Sequence, residues 1–129
     1  MSKIPSIAVT QQNNVLGTEL EKCSCEPQTG FLRDGYCNLS ETDHGQHTVC
    51  AIMTEEFLDF TKSKGNDLSS ARLDYGFPGL KSGDKWCLCA SRWIEAVHAG
   101  KAPPIILEAC HESLLEHISI EQLRKHTYQ

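Results

Sequence analysis

The sequence predicts an α+β fold in one domain: a small mixed β-sheet with about three helices. Two observations carry this. Short apolar runs rich in strand formers occur at 47–53, 85–90 and 104–109, and each is followed by a segment with helical spacing or a helix cap. That alternation alone would suggest α/β with a parallel sheet, which is the alternative. The second observation weighs against it: the link from Asn66 to Asp84 shows no clear regular structure, and so long a link is better read as a functional loop than as a simple crossover.

Residues 1–14 lack apolar periodicity and read as a flexible lead-in, which leaves 15–129 as the domain. Residues 15–46 carry Gly17, Pro27, Gly30, Gly35 and Gly45 among polar residues, so this stretch reads as irregular, with short strands near Val15–Leu20 and Phe31–Tyr36. His47–Met53 reads as the first strand. Thr54 then caps a helix, Glu55 and Glu56 suit its positive start, Lys62 and Lys64 its negative end, and Gly65 stops it. Lys85–Ala90 reads as a central strand, apolar on both faces. Ser91 is the expected cap of the next helix, with Trp93, Ile94, Ala96 and Val97 facing inward and Gly100 as its end. Pro104–Ala109 reads as a third strand, Glu112–His117 as a short helix, and Ser119 with Gln122 as a capping box for a last turn. Val49, Ala51, Met53, Phe57, Phe60, Trp86, Leu88, Trp93, Val97, Ile105 and Leu107 are the expected core.

The chain has 129 residues, 40% of them hydrophobic and 22% charged, which suits one globular domain and excludes a disordered or collagen-like chain. Twelve Lys and Arg against seventeen Asp and Glu leave a net charge of −5, which argues against a non-specific nucleic-acid partner. No apolar run reaches the length that spans a bilayer, so no membrane partner is expected. The first residues show no basic-then-apolar export pattern, so a cytoplasmic location is expected.

Seven cysteines are an odd number, so they cannot all pair within the chain. In a reducing compartment the default is free thiol, with Cys50, Cys87 and Cys89 packing as small hydrophobes. A bond between Cys23 and Cys37, bracketing a Gly-rich loop, is the structural alternative. No cofactor is assigned. Zinc is the less favoured reading, because Cys23-x-Cys25 and Cys87-x-Cys89 lack the spacing of a zinc knuckle. Were a metal to bind, its ligands would come from Cys23, Cys37, Cys50, Cys87 and Cys89.

Several segments together resemble a known family. They are NVLG (14–17), TGFLRDGYC (29–37), HTVCAIMTEEFLDF (47–60), GNDLS (65–69), FPGL followed by GDKWCLCASRWIEA (77–96), and APPIILEA with HE (102–112). The chain is similar over nearly all of 14–126 to the prokaryotic domain of unknown function, family 2237. The resemblance implies no activity, substrate or cofactor. It places Cys23, Cys37, Cys50, Cys87 and Cys89 at motif positions. Cys25 and Cys110 stand where the family has small hydroxyl residues, and Ser82 where it has Pro, so those two cysteines carry no shared role.

No nucleophile elbow, phosphate loop or dinucleotide fingerprint is present, so whether the chain is an enzyme is left open. The best reading is a polar small-molecule site, binding or enzymatic, where loops 29–47 and 66–84 meet. His47, at the mouth of a buried strand, is the candidate acid or base, since imidazole is the side chain suited to proton transfer at neutral pH, with Asp34 and Asp67 as carboxylate partners. Arg33 offers a fork to a carboxylate or phosphate, and Asn66, Arg92 and His111 are further ligand-binding candidates. The alternative is a non-catalytic interaction or metal-binding module built on the cysteines.

Overall fold

The computed structural model describes residues 12–75 and 77–128. The fold is α+β. Strands β1 (His47–Ile52) and β2 (Lys85–Cys89) form an antiparallel pair with Val49 opposite Leu88, Cys50 opposite Cys87 and Ala51 opposite Trp86. A bulge between His47 and Val49 shifts the register, so that His47 lies opposite Cys89. Three helices complete the frame: α1 (Glu55–Ser63), α2 (Ala90–Ala99) and α3 (Ile120–Arg124).

Local chemistry explains the helix ends. The Thr54 hydroxyl accepts from the Phe57 amide at 3.1 Å, and Ser119 does the same for Gln122 at 3.2 Å. Gly100 ends α2 in the left-handed region, where a residue without Cβ is unstrained. Ser91 is not the cap expected of it. The chain passes directly from β2 into α2, Cys89 takes the cap position without a side-chain bond, and the Ser91 hydroxyl contacts the Cys89 sulfur instead.

The third strand does not form. Pro104 has no N–H to donate, and only Ile105 is bridged, antiparallel to Ala51 and parallel to Thr127. Leu107–Ala109 then tightens into a 3-10 turn, as does Glu112–Glu116. The strands expected near 15–20 and 31–36 are also absent. Turns replace them, and over 15–20 Asn14 satisfies the backbone with its side chain. Its amide donates to the carbonyls of Glu19 and Glu108, and its carbonyl accepts from the amides of Leu16 and Thr18. Residues 1–11 of the expected lead-in lie outside the described residues, whereas Asn13 bridges Glu19 and the buried Asn14 bridges His111.

One core joins these parts. Val49, Ala51, Met53, Phe57, Trp86, Leu88, Trp93, Ile105 and Leu107 are buried in it, and Phe60 and Val97 pack half-buried against it. The Trp93 indole N–H donates to the Pro103 carbonyl at 3.1 Å, so its polar atom is satisfied in the interior.

The cysteines depart most from expectation. Four of the seven form two disulfides, Cys23–Cys50 and Cys37–Cys87, with Cα atoms 5.7 and 5.3 Å apart. Neither the all-reduced state nor the Cys23–Cys37 bond is found. Because Cys50 and Cys87 are direct cross-strand partners, their side chains leave the same face, and each reaches a loop cysteine beside it. The pair fastens the irregular 15–46 segment onto the hairpin. Cys25, Cys89 and Cys110 are free. Cys110 is buried, and burial pushes its thiol pKa up to about 12, so it is a neutral, inert side chain.

Candidate functional site

Loops 29–47 and 66–84 border one open cleft of about 690 Å³. Phe31, Arg33, His47, Asp67, Arg72 and Trp86 are among its lining residues, and Cys87 of the second disulfide forms part of the wall. Gly30 makes the close packing of this loop feasible. Its φ is +98°, and a Cβ there would run into the Tyr36 carbonyl.

His47 is held by a residue the sequence reading missed. The Asp43 carboxylate accepts from the His47 backbone N–H at 2.8 Å and meets ring Nδ1 at 2.7 Å. The Asp43 side chain is 1% exposed while that of His47 is 38% exposed, so a buried acid orients a ring that reaches the cleft. Such a pair fixes the tautomer and leaves Nε2 as the nitrogen not engaged by Asp43. Phe31 stacks on the ring with centroids 6.2 Å apart. Gly45 gives the ring room: a Cβ there would lie 3.0 Å from His47 Cε1 and 3.5 Å from Cys89 Sγ. The Asp-x-x-x-His spacing was the available signal, but in a loop it has no periodicity to mark it.

Arg33 adopts a left-handed backbone, φ +57°, which costs energy for a residue with a Cβ and marks positions the surrounding fold holds in place. Its Nη1 donates to the Gly30 carbonyl at 2.7 Å, and its guanidinium lies over the Trp86 ring, 5.1 Å from the centroid. Asp67 sits across the cleft on the other loop. Its carboxylate accepts from the Ser69 and Ser70 amides, and hydrogen bonding from Ser70 holds its pKa below the ordinary value.

The other candidates lie elsewhere. Asp34 shapes its own loop, accepting from the Tyr36 amide and the Asn38 side chain. Asn66 ties off α1 through both Thr61 oxygens, the carbonyl and the hydroxyl. Arg92 donates to the Lys64 carbonyl at 3.2 Å and pairs weakly with Glu95, bracing α2 against the end of α1. His111 is buried and accepts from the Ser113 amide at 3.0 Å as the cap of a 3-10 turn.

Burial lowers the pKa of His111, and of His126 where it meets the Trp93 edge. Their folded values lie below the unfolded value of about 6.5, so the unfolded chain binds more protons in that window. Stability is therefore expected to be full above about pH 6.5 and to fall as pH drops through the lowered values. Urea midpoints at pH 7.5 and 5.5 check this, and His111→Asn, which keeps an acceptor at the cap, should flatten the profile. Equal midpoints in the parent would refute it.

A second cleft of about 730 Å³ lies at the start of α2, lined by His44, Gln46, Ser91, Glu95, His98 and His117. Among the described residues no helix is long and apolar enough to cross a membrane.

These features define a small α+β domain whose irregular N-terminal half is clamped by two disulfides beside an open cleft. The chain belongs to the family described as uncharacterized protein conserved in bacteria (DUF2237), whose model matches residues 13–127. No curated protein matches the chain.

Proposed function

We propose that the cleft between loops 29–47 and 66–84 binds a small polar molecule carrying an acid group. The observation that carries this is the meeting of Arg33, Arg72, Asp67 and the Asp43-held His47 at one cleft with aromatic walls. Arginine offers planar donors to a carboxylate or phosphate, and Phe31 and Trp86 supply apolar surface for the rest of the molecule. His47, oriented by Asp43, is the group through which a bound molecule would exchange a proton. Asp34, Asn66, Arg92 and His111 act in this reading as supports of the loops and helix ends, outside the binding set. The net charge of −5 speaks against nucleic acid as the partner. A cytoplasmic setting remains our reading, and it places the two disulfides in a compartment that reduces such bonds.

Titration calorimetry with inorganic phosphate, a dicarboxylate and a sugar phosphate tests the proposal. At least one is expected to saturate the protein, and Arg33→Gln to weaken it about tenfold or more, the worth of one charge-assisted hydrogen bond. His47→Ala should weaken binding while leaving the melting temperature close to the parent's. Saturable binding that neither variant changes, or no binding of any of the three, would overturn it.

A further inference from the structure

We propose that Cys23, Cys37, Cys50 and Cys87 bind a zinc ion once both disulfides are reduced, so that one buried cluster exists either as two cystines or as a tetrathiolate metal centre. The inference stands independently of the cleft's ligand.

Convergence is the first ground. The sulfurs of Cys23, Cys37 and Cys87 lie within 4.8 Å of one another, and Cys50 is bonded to Cys23. A tetrahedral zinc with Zn–S bonds of about 2.3 Å holds its sulfurs about 3.8 Å apart. That value lies within the span of the three converging sulfurs, and Cys50, one bond from Cys23, completes the set of four once that bond opens. Among the described residues this is the one group of three or more potential ligands that close together.

Burial is the second ground. The four residues are between 0% and 5% exposed, which matches a closed structural site and leaves no open position for catalysis. The ligands come from two loop positions and two adjacent strands. Spacing along the chain therefore hides the site, because its knuckle is the β1–β2 pair and not a short turn.

Access is the third. Cys23 lines a shallow hollow, and Cys87 lines the cleft between loops 29–47 and 66–84. A reductant can approach from either side after local opening, and Lys22 and Lys85 are balanced at the hollow by Glu26 and Asp84.

The chemistry balances with a dithiol as reductant. Each cystine takes two electrons and two protons from one dithiol, which leaves as its own disulfide. Four thiols result. Zinc then forms four Zn–S bonds and displaces four protons, leaving the centre with a charge of −2. The proton release makes metal uptake stronger as pH rises.

The test uses the full chain, reduced with a phosphine under anaerobic conditions, freed of excess reagent and titrated with cobalt(II). The expected result is one cobalt per chain with thiolate charge-transfer absorption and the intense visible bands of a tetrahedral ion, displaced by zinc. The oxidised chain should take up none. The triple variant Cys25→Ser, Cys89→Ser, Cys110→Ser should retain the full signal, whereas Cys50→Ser should lose the four-sulfur spectrum. Cobalt bound only in a weakly absorbing octahedral form by the reduced parent would overturn the proposal. So would loss of the signal in the triple variant when its circular dichroism matches the parent's, since the ligands would then lie among the other cysteines.

Discussion

Phe57→Ala is expected to lower the stability of the domain by about 3–5 kcal/mol, as truncation of a buried aromatic does. Phe57 is fully buried in the core that joins α1 to the hairpin. Its backbone N–H is also the group capped by Thr54, so its ring and the first turn of α1 are fixed together. The loss combines the transfer free energy of the ring with the cavity it leaves, and a close-packed interior relaxes into such a cavity only in part. Against a total of about 5–15 kcal/mol for a domain of this class, the variant should lose a large share of its margin. Guanidinium melts measure it: the midpoint should fall while the slope stays constant. Leu73→Ala is the companion measurement. Leu73 is 85% exposed, so its change should stay within about 0.5 kcal/mol. A Phe57→Ala midpoint equal to the parent's would remove α1 from the core.

The helical part of this core was legible because local signals and tertiary packing agree there. Thr54 and Ser119 cap where a hydroxyl precedes a helical run, and Gly100 ends α2 where a left-handed residue is needed. Both strands of the hairpin were also readable, from the β-branched and apolar run HTVCAI and the apolar run KWCLC, each close to turn signals. The misread third strand shows the limit of that rule. PIILEA has strand composition, but Pro104 withholds a donor, and the segment turns at Leu107 after a single bridged residue, Ile105. A short apolar run carries no periodicity that separates these outcomes.

The irregular half was less legible for a different reason. Its order comes from the two disulfides and from the Asn14 side chain, both of which act across long stretches of sequence. Cysteine pairing is not encoded in spacing, and the odd count pointed away from it. At the cleft, Arg33, His47 and Asp67 meet because the loop that enters β1 and the loop that leaves α1 both border it. Asp34 and Asn66, their sequence neighbours, turn to their own loops instead. Short polar side chains beside glycine bond local backbone and side-chain groups readily, and sequence does not tell that use from ligand binding. Asp43 escaped notice because only the folded loop brings its carboxylate onto the backbone N–H and ring Nδ1 of His47.

Reduction of the two disulfides in the presence of a chelator is expected to produce the largest loss of all. In the chain-entropy account a cross-link stabilises by restricting the unfolded chain, and more so for longer loops. Cys23–Cys50 spans 27 residues and Cys37–Cys87 spans 50, which correspond to about 3.5 and about 4 kcal/mol. The two loops overlap between 37 and 50, so the second bond closes a chain already restricted by the first, and the joint effect should fall short of the sum. Either loss alone approaches the margin of a typical domain, so the reduced, metal-free chain should melt at much lower denaturant, with residues 15–46 opening first. Hydrogen exchange read segment by segment checks that order, because the amides of Cys23 and Ser24 pair with Gly35 inside the clamped region while α2 and α3 keep their own helical bonds. Adding zinc to the reduced chain should then restore protection to the same amides, by the mass-action stabilisation of a ligand that binds only the folded form. Reduced, chelated protein that melts with the oxidised form would show that the clamp contributes nothing. Restoration by zinc confined to segments outside 15–50 and 85–89 would place the metal somewhere other than the four sulfurs.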